Sequence, residues 1–339
     1  MSAGPTDVAE LDQVVIAAAT TSRFSGAVRV DLGSEHREWA FGEADRRWHM
    51  PFTTVTPSSV ASGAKGVTAI VVLRLAELGV LPLHTMARAV LGADLPLIDD
   101  GVTVEHLLAH RSGIGDYLDE TTFGSITDHV MPEPLHHYDD VEAYLPTLDG
   151  HAQVTSPGDA FAYNNGGFAV LAVLAQRAAG TRFRDLVTSL VCEPAGLRDT
   201  TFHPANALPE GVATGYLHAD GMATNSLHLP LLGTGDGGLF TTVGDVRRLW
   251  TALFGGALLR EDSVASMTKA RSTDADGDRY GLGLWLAPHG PAVRLEGYDA
   301  GVSFRTWHDP GADITQTVIG NWSDAAWPVC RALRSVLGP

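Results

Sequence analysis

Ser62 and Lys65 stand three residues apart in the run Ser62-Gly63-Ala64-Lys65. On a helix that spacing puts both side chains on one face, close enough for the amine to reach the hydroxyl. A serine at a helix N-terminus lies among free backbone N–H groups at the positive end of the dipole, which favours negative charge on its oxygen. A buried lysine is expected to have a depressed pKa, and its neutral amine can help take the serine proton. The competing role for Ser62 is a helix cap. Lysine is scarce here: 21 of the 23 basic residues are arginine, and a guanidinium cannot act as a base. A second copy of the spacing, Ser266 to Lys269, follows Glu261-Asp262 in a short polar stretch and reads as accidental.

Tyr163-Asn164-Asn165 supplies further chemistry. A phenol can serve as general base for a serine and as acid for a leaving group. The Asn165 amide can orient the lysine or hold a substrate carbonyl; the alternative is that it caps the apolar helix that follows.

The elements that must position these groups follow from periodicity. Residues 7–21 read as an amphipathic helix, and 26–32 and 37–42 as alternating strands turning at Gly33-Ser34. Residues 53–60 read as a further extended segment. The stretch 62–78 is apolar on nearly every side, so its helix belongs inside a domain. Helical patches follow at 104–109, 140–145, 167–179, 183–191 and 243–253, while 115–139 is polar and aperiodic, a long loop of the functional or mobile kind. Strand signals return from Tyr280, and 323–337 closes with a helix. Strands at both ends and helices between them predict an α+β protein. One antiparallel sheet is drawn from both chain ends, residues 1–61 with 271–339. A mainly helical insertion, 62–270, packs on it, with the site at their interface.

The 339 residues carry 23 Lys plus Arg against 40 Asp plus Glu, a net charge of −17, with 45% hydrophobic residues. That composition is globular and too acidic for nucleic acid or an anionic membrane surface, leaving a small molecule as the expected partner. Two cysteines, Cys192 and Cys330, are too few for a disulfide framework. The sequence shows neither a secretory signal nor an apolar run of membrane-spanning length, so a cytoplasmic protein is expected.

Several motifs in order then resemble a family: the class C β-lactamases and penicillin-binding-protein-like serine hydrolases. Ser62-x-x-Lys65 and Tyr163-x-Asn165 are similar to its two catalytic motifs, and related penicillin-interacting enzymes use the same pairing of a serine with an amine three residues on. Leu107-Leu108-Ala109-His110-Arg111-Ser112-Gly113-Ile114, Pro157-Gly158 through Tyr163, Glu193 to Leu197 with Thr200-Thr201, Gly237 to Thr242 with Asp245, and Tyr280 to Gly283 match further segments. The resemblance covers about residues 20–325 and implies a β-lactamase-like fold. It also implies an oxyanion hole from the backbone N–H groups of Ser62 and Tyr298, with Gly297 admitting substrate to the strand. The family usually has Lys or His two residues before that glycine; here the residue is Leu295. Loss of that cation weakens recognition of a substrate carboxylate and favours neutral esters or amides over penicillins.

The expected function is a serine hydrolase working through an acyl-enzyme on small esters or amides, needing no metal or organic cofactor. The other readings are a transacylase using a non-water acceptor, a β-lactamase or D,D-peptidase, and a silent sensor that is only acylated by its ligand. There is no G-x-S-x-G elbow. His106 and His110 lack the glutamate of a zinc motif and read as packing residues. Asp274, Asp276 and Asp278 lack the glycine and glutamate of an EF-hand and read as a solvated turn. The Gly233–Gly238 stretch has no P-loop lysine. Tyr117 is a candidate to face substrate. The sequence leaves the oligomeric state open.

Overall fold

The computed structural model describes residues 8–122, 124–274 and 277–338, and the structural statements below concern these; residues 1–7 and Asp276 of the aspartate run lie outside them. Helix Val8–Ser22 leads into the hairpin Gly26–Leu32 and Glu35–Phe41. Eight strands form one sheet, each antiparallel to its neighbour, in the order Glu35–Phe41, Gly26–Leu32, Ile314–Gly320, Val302–Asp309, Val293–Asp299, Trp285–Leu286, Arg279–Tyr280 and Ser272–Thr273. The first and last long strands meet inside the sheet, where Gly26 pairs with Gly320 and Leu32 with Ile314. This is the α+β, β-lactamase-like arrangement expected from strands at both ends.

Alternation along the strands divides the burial. Val28, Val30 and Val318 face Leu11 and Val15 of the first helix and Val329 and Leu333 of the last, Ala326–Leu337. Leu295, Phe304 and Ile319 point the other way, into a larger core shared with helices Ala64–Glu77, Asn165–Ala179 and Val243–Phe254. Polar groups on that inner face find partners: Thr306 bonds Thr317 at 2.9 Å and accepts from Trp250 Nε1 at 2.9 Å.

Helix Ala64–Glu77 is largely enclosed, with Val67, Ile70, Val71, Val72 and Leu73 all buried. Each such side chain contributes roughly 1.5–3 kcal/mol, so a residue on its first turn has a fixed address. The extended segment expected over 53–60 is a strand only at Ser58–Ser59. It pairs with Leu239–Thr241, which also pairs with Thr201–Phe202, a small second sheet with two of its three strands inside the region 62–270 expected to be helical. Strands of two or three residues carry no alternation long enough to read. Segment 115–139 is irregular, with one-turn helices at Ile126–Asp128 and Leu135–His137. Among the described residues no helix is long and apolar enough to cross a membrane.

Candidate active site

Ser62 lies in the 3-10 turn Ala61–Gly63, which feeds directly into helix Ala64–Glu77. Ala61 has φ +44°, a left-handed conformation that costs a residue with a Cβ roughly 1–2 kcal/mol. The turn is pinned by Val60 N donating to Leu239 O at 3.0 Å and Gly63 N donating to Val60 O at 2.8 Å. No side chain caps this helix, so Ser62 is not its cap.

Lys65 is 2% exposed, and its Nζ donates to Ser62 Oγ at 2.8 Å, Asn165 Oδ1 at 2.8 Å and the Asp236 carbonyl at 3.1 Å. Three acceptors use all three protons of an ammonium. Burial is the largest single influence and pulls the lysine down, but Tyr163, Asp236 and Asp116 outweigh it and hold Lys65 above its ordinary value. The expectation of a depressed, neutral lysine is therefore corrected. Burial alone argues for it, and the opposing groups arrive from distant loops.

Asn165 opens helix Asn165–Ala179 but does not cap it. The cap is Asn164, whose Oδ1 accepts from Gly167 N at 2.6 Å, while Asp116 accepts from Asn165 N and Gly166 N, each at 2.8 Å. With the helix end satisfied by neighbours, the Asn165 amide is free to bridge: Oδ1 to Lys65, and Nδ2 to Leu118 O at 2.9 Å. Tyr163 is held two residues earlier between His110, with ring centroids 4.3 Å apart, and Trp285, stacked at 6.2 Å and 8°. Its ring centre is 5.0 Å from Lys65 Nζ. His110 is fully buried, accepts from Asn164 N at 3.1 Å through Nδ1, and is kept well below the usual histidine range by burial and by Lys65. It is a neutral packing group, in line with the sequence.

The Asp236 carbonyl reaches Lys65 because the glycine loop passes very close to the next helix. A Cβ on Gly235 would lie 2.2 Å from Phe168 O, and the Gly235 carbonyl accepts from Thr68 Oγ1 at 2.7 Å. The Asp236 carboxylate accepts from Tyr117 OH at 2.6 Å. Strand Val293–Asp299 forms the opposite wall. Gly297 lies against the serine turn, its ideal Cβ 2.0 Å from Val60 O and 3.0 Å from both Ser62 N and Gly63 N. Tyr298 is at the cleft surface, while Leu295 points inward onto Gly66 of the serine helix.

Ser62, Asn165, Tyr117, Asp236, Tyr298 and Asp299 line one cleft, which also has His129, His203, His228 and Glu120 on its walls. Among the described residues that line it there is no lysine or arginine. Burial, together with Asp236 and Glu120, pushes the Asp299 carboxyl up to about 7. The other candidates fall elsewhere. Lys269 is exposed and Ser266 Oγ accepts from Arg271, so the second S-x-x-K spacing has no enclosed amine. His106 accepts from Thr103 N in the cap of its own short helix. Among the described residues no group of three or more His, Cys, Asp or Glu is placed to hold a metal ion. Asp116 and Asp236 escape sequence reasoning; the clue for Asp236 is the glycine content around it, which allows a backbone carbonyl to approach.

Comparison with known proteins accords with this geometry. The family model described as Beta-lactamase matches residues 11–337. Esterase EstB of Burkholderia gladioli is 33% identical over 218 residues, 61% of this chain and 54% of that protein. A D-aminopeptidase of Brucella ovis is 27% identical over 324 residues, 91% and 59% respectively. The crystal structure of a penicillin binding protein from Bacillus halodurans superposes with a TM-score of 0.89 at 29% identity, covering 95% of this chain and 100% of that one. The chain spans 54% and 59% of the lengths of these two curated relatives. A match across 11–337, on a fold with the serine, lysine and asparagine brought together, shows that the chain belongs to the Beta-lactamase family.

Proposed function

We propose that this protein is a serine hydrolase that acts through an acyl-enzyme on small carboxylic esters or amides. The observation that carries the reading is the Lys65 Nζ fixed 2.8 Å from Ser62 Oγ at the edge of a cleft. In the first step Ser62 Oγ attacks the substrate carbonyl carbon, and its proton passes to the Lys65–Tyr163 pair, leaving ammonium and phenol. The pair acts as one proton acceptor, the Lys65 amine lying 5.0 Å from the centre of the Tyr163 ring. The carbonyl oxygen becomes an oxyanion, received by the backbone N–H groups of Ser62 and Tyr298 beside Gly297. Tyr163 then protonates the leaving oxygen or nitrogen as the C–O or C–N bond breaks. Water, deprotonated by the same pair, releases the acid and restores Ser62.

The cleft wall supports neutral or cationic substrates over penicillin-like carboxylates. It offers Glu120, Asp236 and Asp299 and, among the described residues, no guanidinium, and Leu295 puts an alkyl group where the family resemblance leads one to look for a cation. Turnover of p-nitrophenyl acetate and butyrate tests the reading. Activity lost in Ser62→Ala and kept in Ser266→Ala supports it; a single stoichiometric burst without turnover makes the protein a sensor instead. Amide product on adding an amine acceptor assigns it as a transacylase.

A further inference from the structure

The sheet has a cavity on the face turned away from Ser62. Its walls are Leu286, Trp307 and Val318 from the strands and Leu333 from the last helix, and its polar groups include Arg294, Arg305, Gln316 and Arg334. Pairing puts five of these residues on one face: Arg294 lies opposite Trp307, Trp307 opposite Gln316, and Arg305 opposite Val318; Leu286, opposite Val293, belongs to the other face and meets the cavity where the strand ends. Leu295 and Gly297, one residue out of step, point to the catalytic side. The cavity holds about 140 Å³.

The polar groups here are unevenly satisfied. The carboxylates are engaged: Asp278 by Arg294 at 2.7 Å, and Glu296, just outside, by both Nε and a terminal nitrogen of Arg305 at 3.0 Å each. The donors are not. Gln316 is 8% exposed and its buried Nε2 has no hydrogen-bond partner among the described residues; the same holds for Arg294 Nε, which meets Glu296 only as an ion pair at 3.3 Å. A buried N–H without a partner costs about 1–3 kcal/mol, so its retention beside a sizeable cavity points to an acceptor that is supplied from outside. Three guanidinium groups against two carboxylates leave the surroundings positive.

We propose that this cavity binds a small organic carboxylate with an apolar body, its oxygens taken by Gln316 Nε2, Arg294 and Arg334 and its hydrocarbon part laid against Trp307, Val318 and Leu333. The site is separate from the cleft and does not depend on the protein being a hydrolase. Calorimetric titration of the Ser62→Ala protein with hexanoate tests it, with hexanamide and hexylamine as probes of charge. The expected result is saturable one-to-one binding of hexanoate, with hexanamide at least about tenfold weaker and hexylamine weaker still. Gln316→Leu and Arg334→Ala should each weaken hexanoate by about threefold to tenfold. Arg334 is exposed, so its variant keeps the test valid if the buried substitution disturbs folding. Hexanoate binding no tighter than that of hexylamine, absent altogether, or unchanged by Arg334→Ala overturns the proposal. So does loss of binding when Ser62 of the wild-type protein is blocked covalently, which would place the ligand in the catalytic cleft.

Discussion

Gly297→Ala is the sharpest probe of how the serine turn is held. The added methyl would sit 2.0 Å from Val60 O and 3.0 Å from the amide nitrogens of Ser62 and Gly63. These are backbone atoms, so no rotamer relieves the contact. Reaching even 3.0 Å from the carbonyl requires the strand and turn to part by about 1 Å, still inside ordinary contact distance. A displacement of about 1 Å between reacting groups costs about 10²-fold, and loss of one oxyanion donor about 10²–10³-fold. The acylation rate constant for p-nitrophenyl butyrate, measured by stopped flow, should therefore fall about 10²–10³-fold. Overpacking should lower stability by only about 1–3 kcal/mol, read by denaturant unfolding. Gly66→Ala is the control: the atoms nearest its methyl are the δ-methyls of Leu295 at 2.6 Å and its Cγ at 3.1 Å, all in a side chain that can shift without moving backbone. It should lose stability on a similar scale and keep most of its acylation rate. If Gly297→Ala acylates within about tenfold of wild type, or if both variants lose rate equally, the reasoning about the turn is wrong.

Two further outcomes follow from the charges. Lys65→Arg keeps the positive charge but cannot place one nitrogen at 2.8, 2.8 and 3.1 Å from three converging acceptors in a pocket closed to solvent, so acylation should drop by about 10²–10⁴-fold; a burst of wild-type rate would remove this lysine from the mechanism. Asp299 has its carboxyl raised to about 7 from an ordinary 3.8, so it is neutral below pH 7 and anionic above. For a permanently cationic ester, kcat/KM relative to a neutral ester of equal size should rise about five- to tenfold through pH 7 and then level off. Asp299→Asn should abolish the rise, and a ratio flat with pH in the wild type would exclude this carboxylate from the substrate's path. The same raised value means that the folded state holds the proton more tightly, so this group's contribution makes stability decline between about pH 4 and pH 7, with the slope removed in the asparagine variant.

How much is readable in the sequence depends on how local the cause is. The Ser62–Lys65 contact is set by one turn of helix, and the spacing alone implies it. Long strands such as Val302–Asp309 announce themselves by alternation, whereas Arg279–Tyr280 and Trp285–Leu286 are held in the sheet by their neighbours. Asn165 is recognisable, but its freedom to reach Lys65 rests on Asn164 and Asp116 occupying the helix end, and Asp116 comes from a loop with no periodic signal. The protonation of Lys65 is misjudged for the same reason. Burial can be inferred from an apolar helix, but the groups that oppose it are Tyr163, whose motif is legible, and the carboxylates of residues 236 and 116, which give no signal. Leu295 stands out as a departure, and the structure adds that its side chain fills space against Gly66.

Because Gly26 to Leu32 hydrogen-bond to strand Ile314–Gly320, the N-terminal hairpin has an open side until some 280 further residues have been made. At translation speeds of about 5–20 residues per second, that edge waits roughly 15–60 s for its partner. The serine and lysine emerge early, yet the wall bearing Gly297 is synthesised more than 200 positions later. A nascent chain therefore carries its nucleophile without the surface that makes it selective. Competence should switch on abruptly once residues 314–320 are free to pair, and a nonsense mutation anywhere before that strand should leave an aggregation-prone fragment, with no partially active enzyme.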